Sequence, residues 1–124
     1  MSQPRKILIV DDSKLVLSLH TIILKKLGFE CSSAENGAIA LEYCQYILFD
    51  LILTDINMPK MDGYEFTKKV RATAGYEEVP IIMISTEREA LDKSRGMEAG
   101  ASVYVIKPVS ADVLAMNVKM LLGA

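Results

Sequence analysis

Short apolar runs, each too brief to be a helix, alternate along this chain with longer stretches of helical periodicity, and no other feature restricts the fold as much. The runs at 7–10 (Ile-Leu-Ile-Val), 51–53 (Leu-Ile-Leu), 81–84 (Ile-Ile-Met-Ile) and 103–106 (Val-Tyr-Val-Ile) are rich in β-branched residues and read as strands buried on both faces. A weaker fifth run, 29–34, follows Gly28, the kind of residue that ends a helix in the left-handed region. Helical periodicity fills 14–27, 38–48, 64–72, 88–99 and 111–122. Parallel strands need right-handed crossovers, and the intervening helices supply them. The pattern predicts an α/β domain with a doubly wound, five-stranded parallel sheet and helices on both faces. Its ligand site is expected beyond the carboxyl ends of the strands.

With 124 residues, 51% of them hydrophobic and 24% charged, the chain can build one core, and a single domain over 1–124 is expected. No repeat or linker-like stretch is visible and the last helix is predicted to run almost to the end, so no output domain is expected. A net charge of -2 without a basic run argues against nucleic acid as a partner. Cys31 and Cys44 lack redox or zinc-ligand spacing and read as buried free thiols of a reducing cytosol. Only four apolar residues follow the polar amino terminus, too few for a signal core or a membrane span. A soluble, cytoplasmic protein without membrane insertion is the expectation.

Asp11 and Asp12 follow the first predicted strand and Asp55 follows the third, so three carboxylates should meet at one sheet edge. Like charges so placed stay ionised only around a cation, and an all-oxygen donor set favours Mg²⁺ over zinc or copper. Taken alone, Asp11-Asp12 reads first as a solvated acidic pair capping the next helix, and it is Asp55 that turns the balance. Ser85 ends the fourth strand and Lys107-Pro108 follows the fifth, bringing a hydroxyl and an ammonium to the same edge. Singly these are a helix cap and a surface charge. Together with the carboxylates they form a constellation suited to handling a phosphoryl group, with an aspartate nucleophile, cation ligands and oxygen-binding donors. His20 shares helical spacing with Val16, Ile23 and Leu27 and reads as a core-boundary residue without a role.

Asp11-Asp12-Ser13, the stretch from Thr54-Asp55-Ile56-Asn57-Met58-Pro59 to Met61-Asp62-Gly63, Ser85 and Lys107-Pro108 stand in the order of the response-regulator receiver family, which the whole chain resembles. The likeness is nearest to single-domain chemotaxis-type receivers. It implies a flavodoxin-like sheet of order 2-1-3-4-5 and a phosphorylation-dependent signalling switch, not an enzyme acting on external substrates. Asp55 would be the phosphoacceptor, with a sensor histidine kinase, a histidine phosphotransfer protein or a small acyl phosphate as donor. Asp12 and Asp55 would ligate Mg²⁺ directly, Asn57 through its backbone carbonyl and Asp11 largely through water. Lys107 and Ser85 would receive phosphoryl oxygens, and Ser85 with Tyr104 would form the switch. Asn57, Thr86 and Glu87 would tune the lifetime of the acyl phosphate. Thr86 departs from the Ala or Gly usual in the family. Lys107-Pro108 would be a cis peptide.

Three rival readings fit less well. A haloacid-dehalogenase-type hydrolase needs an acid two residues after the nucleophile, where Asn57 stands. A flavin carrier needs a phosphate-binding loop where Asp11-Asp12 would repel it. A phosphorylation-independent interaction module would have no use for the complete set of site residues. In the last predicted helix, Leu114, Val118 and Leu121 form one apolar stripe. Val113, Met116 and Met120 form a second, about 100° or more around the axis. One sheet cannot bury both, so Val113, Met116 and Met120 are expected to meet a downstream protein or a second copy of the chain.

Overall fold

The computed structural model describes residues 3–90 and 93–123, without the side chains of residues 87, 90 and 93. β1 (Lys6–Val10), β3 (Leu51–Asp55) and β4 (Ile81–Ser85) carry the aliphatic runs, and nearly every residue in them is buried. β2 (Glu30–Ala34) and β5 (Val103–Ile106) are less buried and lie at the edges of a parallel sheet of order β2-β1-β3-β4-β5. An edge position explains why Glu-Cys-Ser-Ser-Ala gives so weak a strand signal: half of it faces water.

Alternate residues of each strand supply the two faces of the core. Ile7, Ile9, Leu51, Leu53, Ile82 and Ile84 pack against α1 (Lys14–Lys26) and α6 (Ala111–Leu122) through Leu17, Leu24, Leu114, Val118 and Leu122. On the other face Leu8, Val10, Ile52 and Ile81 meet Ala40 and Cys44 of α2 (Gly37–Tyr46) and Phe66 and Val70 of α3 (Gly63–Arg71). Full burial of each such aliphatic side chain contributes about 1.5–3 kcal/mol, so the strand ends project from a rigid platform. The predicted helix 88–99 is described as α4 (Glu87–Ala90) and α5 (Lys93–Ala99), on either side of residues 91 and 92, which lie outside the described residues. Ala99 of α5 joins Ile56, Tyr64, Met83 and Ala101 in a third small cluster.

The expected inner stripe of α6 packs on the core, Leu114 and Val118 buried and Leu121 half-buried against the same cluster, and Leu122, buried, joins it in the last turn. Cys31 is half-buried rather than buried; Cys44 is buried, and both are free thiols. Gly28, at φ +95, ends α1 as expected. Ser13, Asn36, Asp62 and Ser110 cap their helices by accepting the N–H groups of Val16, Ile39, Glu65 and Val113. These caps close loops at the carboxyl edge of the sheet and so fix the backbone that carries the acidic residues. Lys107-Pro108 is cis. Among the described residues no helix is long and apolar enough to cross a membrane.

Candidate functional site

Parallel strands in register bring the predicted residues to one edge. β1 ends at Val10 beside Thr54, and Asp11 N–H then bonds Ala34 C=O at 3.1 Å, which turns its side chain toward β3. Oxygens of Asp11, Asp12 and Asp55 lie within 4.8 Å of one another. Asp11 and Asp55 are buried to 2% exposure and Asp12 is exposed, so the cluster has a buried floor and an open mouth. Asp11 Oδ1 accepts Ser13 N–H at 2.9 Å, whereas its Oδ2 is buried with no hydrogen-bond partner among the described residues. An orphaned carboxylate oxygen beside two further carboxylates, without His or Cys, fits a hard divalent cation such as Mg²⁺.

Lys107 Nζ stands 2.8 Å from Asp55 Oδ1. Burial pushes the Asp55 carboxyl above its ordinary value, and the lysine only partly offsets this. For Lys107, burial pulls down but the hydrogen bond and charge of Asp55 win, so the ammonium is held more firmly than usual. Ser85 is fully buried at the end of β4, and its Oγ has no hydrogen-bond partner among the described residues. Lys107 N–H bonds Ser85 C=O at 2.8 Å, so the hydroxyl and the ammonium are tied to adjacent strand ends.

Burial first, and then the Asp55 charge, raises Asp11 from 3.8 to about 6. A carboxyl protonated more readily when folded stabilises the protein below its unfolded value and loses that contribution as pH rises through the folded one. The metal-free domain should therefore lose on the order of 2–3 kcal/mol between about pH 4 and pH 7 through this group. Thermal melts over that range, repeated with Asp11→Asn and with saturating Mg²⁺, check it; both additions should flatten the slope. An equally steep slope in Asp11→Asn would refute the assignment.

The β3–α3 loop is held by the backbone. Met58 N–H bonds Ile56 C=O around Asn57, and Met61 N–H bonds Pro59 C=O around Lys60, at φ +69. Gly63 N–H returns to Ile56 C=O at 2.7 Å, and no side chain fits at 63 because a Cβ would stand 2.4 Å from Asp55 O. Asn57 is exposed, consistent with use of its backbone. Thr86 has an occupation that sequence reasoning passed over. Its Oγ1 accepts Glu89 N–H at 3.1 Å while Glu89 Oε1 accepts Thr86 N–H at 2.8 Å, a capping box legible as Thr-x-x-Glu. The Glu87 side chain lies outside the described residues. Tyr104 is half-buried on β5, its hydroxyl 3.3 Å from that of Tyr64, a residue the sequence reading left out.

His20 is buried, and burial together with Lys107 lowers its pKa, which keeps a core imidazole neutral. Among the described residues, two helices carry exposed apolar stripes. Val113, Met116 and Met120 are 39%, 61% and 63% exposed, as their spacing predicted. Leu15, Leu19 and Ile22, at i, i+4 and i+7 of α1, are also exposed and were missed, although their spacing is visible in the sequence.

The profile of response regulator receiver domains matches residues 7–119. The chain is 36% identical over 120 residues to chemotaxis protein CheY1 of Helicobacter pylori, covering 95% of this chain and 97% of that protein. It is 34% identical to the gliding motility regulatory protein of Myxococcus xanthus over 94% of its own length but spans only 15% of that protein. The structure of chemotaxis response regulator CheY4 of Vibrio cholerae superposes with a TM-score of 0.91 at 35% identity, covering 96% of this chain and 99% of that one. The receiver domain of sensor histidine kinase PA1611 of Pseudomonas aeruginosa has a TM-score of 0.89 at 26% identity, covering 98% and 99%. In that structure a magnesium ion is coordinated in the active-site cleft.

Proposed function

Because the chain belongs to the response regulator receiver family of two-component signalling, we propose that it is a phosphorylation-dependent switch in which Asp55 accepts a phosphoryl group. The observation that carries this reading is the buried Asp55 carboxylate, paired with Lys107 at 2.8 Å and set among two further acids. An oxygen of Asp55 attacks phosphorus as the bond to the donor's histidine nitrogen or acyl oxygen breaks, leaving an acyl phosphate and a free donor. Asp11, Asp12, Asp55 and the Asn57 carbonyl would hold Mg²⁺, which supplies charge neutralisation between the anionic nucleophile and the anionic phosphoryl group. Lys107 leaves its carboxylate partner to pair with phosphoryl oxygens. Ser85 Oγ, buried and without a hydrogen-bond partner among the described residues, gains one when it donates to them. Tyr104 responds to that movement. Asn57, Thr86 and Glu87 flank the phosphoryl group and set its lifetime.

The donor is a sensor histidine kinase or a histidine phosphotransfer protein of the cytoplasm. The exposed stripe of Leu15, Leu19 and Ile22 begins three residues from Asp12 and suits its docking. Val113, Met116 and Met120 offer a separate surface to a downstream protein or a second copy. The test of the proposal is intact mass after incubation with acetyl phosphate: one phosphoryl group should be added with Mg²⁺, none with a chelator, and hydroxylamine should remove it. A Mg²⁺-independent adduct, or one that survives hydroxylamine, would sink it.

Two variants separate the charges of the pocket. Asp12→Ala should weaken Mg²⁺ binding about tenfold or more by removing an oxygen ligand. Lys107→Ala should leave it unchanged or tighter by removing a competing cation from Asp55. Equal losses in a Mg²⁺ titration would count against both roles. For the α6 surface, Met116→Lys/Met120→Lys keeps helix propensity nearly constant. It should reduce association of the beryllofluoride-loaded protein with itself or its co-purifying target by about tenfold or more. Unchanged sedimentation and unchanged co-purification, with the fold intact, would remove this surface from the mechanism.

A further inference from the structure

The Thr86–Glu89 box does more than cap a short helix, because it ties a fourth carboxylate to the edge that carries the other three. Glu89 is half-buried; its Oε1 accepts Thr86 N–H at 2.8 Å while Thr86 Oγ1 accepts Glu89 N–H at 3.1 Å. Thr86 directly follows Ser85, whose carbonyl accepts Lys107 N–H at 2.8 Å, so this carboxylate is anchored one residue from the junction of β4 with Lys107. The cap itself does not need the charge, since glutamine fills the same position of such a box. Among the described residues Glu89 makes no ion pair, so its charge is not neutralised locally. It is felt at Lys107 instead: burial lowers the pKa of that ammonium, and Asp55, Asp11 and Glu89 raise it. Asp55 already holds the lysine at 2.8 Å, so Glu89 adds little to keeping it charged. What remains is a negative charge set where Lys107 would meet an incoming anion, half-buried and therefore less screened than one in open water.

We infer that Glu89, positioned by Thr86, is an electrostatic brake on the phosphoacceptor pocket, weakening the hold of Lys107 on an anionic phosphoryl group and selecting against the more highly charged phosphoryl donors. The inference rests on the proposed role of Asp55 as phosphoacceptor. Glu89→Gln tests it, because the amide keeps the cap and removes the charge. At saturating Mg²⁺ and low salt the variant should bind beryllofluoride, an anionic mimic of the phosphoryl group, about threefold or more tightly than wild type. Its affinity for Mg²⁺ alone should be unchanged or lower, because removing a negative charge favours an anion and not a cation. The gain should nearly vanish between about 0.01 M and 1 M salt, as the screening length falls from about 30 Å to about 3 Å. With phosphoryl donors, acetyl phosphate should be accelerated more than phosphoramidate, which carries less net negative charge.

A loosened loop would give a different pattern, moving both affinities the same way and ignoring salt. Unchanged or weaker binding of the mimic, a gain that survives high salt, or a rise in affinity for Mg²⁺ as well, in a protein whose wild type binds beryllofluoride, would overturn the brake and leave the phosphoacceptor reading intact. Equal acceleration with the two donors would overturn the selection between them. A wild type that binds no beryllofluoride in the presence of Mg²⁺ would overturn the brake and the phosphoacceptor reading together.

Discussion

Asp55→Asn is expected to abolish transfer from acetyl phosphate, a loss of at least about 10³-fold, because the amide that replaces the carboxylate is not a nucleophile and nothing else in the pocket can take its place. Asp11 has one oxygen committed to Ser13 N–H and the other buried, and Asp12 is exposed, outside the buried floor that holds Asp55. The variant should still fold. It loses the pair with Lys107 but also removes one of three clustered negative charges, and these two effects oppose one another. Intact mass after incubation with acetyl phosphate and Mg²⁺ reads the result directly. A phosphoryl adduct persisting on another residue of the Asn variant would move the acceptor elsewhere.

The second large effect concerns a residue that touches no ligand. Gly63→Ala would ordinarily favour a helix, since position 63 opens α3. Here the added methyl would lie 2.4 Å from Asp55 O and 2.8 Å from Ile56 Cα, both backbone atoms that no rotamer change can move. Either the helix backs away from the sheet or the strand end shifts. A loss of about 2–4 kcal/mol follows, or roughly 8–15 °C in Tm for a domain of this size. Because the displaced backbone carries Asp55 and leads to Asn57, Mg²⁺ affinity should fall with it. A melt at or above the wild-type temperature would show that the contact yields cheaply.

How far the sequence could be read depended on whether a residue's job is local. The aliphatic runs of β1, β3 and β4 are buried on both faces, so their composition states their place. Asp11, Asp12, Asp55, Ser85 and Lys107 each sit at or just beyond a strand end, and parallel topology converts that position into proximity. Tyr64 gave no comparable signal, because its importance lies in a contact with Tyr104 made 40 residues away along the chain. The stripe of Leu15, Leu19 and Ile22 was masked by the buried Leu17, His20 and Leu24 on the same helix, since two interleaved apolar faces blur a single periodicity. Thr86 enters the sequence reading only as a residue that would tune the acyl phosphate's lifetime, although Thr-x-x-Glu already spells out its cap.

The order of the strands also sets a gradient of cooperativity. Asp55 ends β3, the middle strand, flanked by β1 and β4, and amides in this buried centre should exchange with deuterium only when the whole domain opens. Tyr104 and Ile106 belong to β5, an edge strand more open to water, next to the short helical segments α4 and α5. The proposed phosphoacceptor is therefore mounted on a stiff central strand, and Tyr104, the proposed switch residue, on a softer margin. Phosphorylation should redistribute protection in β5, α4 and α5 while β1 and β3 keep theirs, so the signal travels as a change in local opening and leaves global stability nearly untouched.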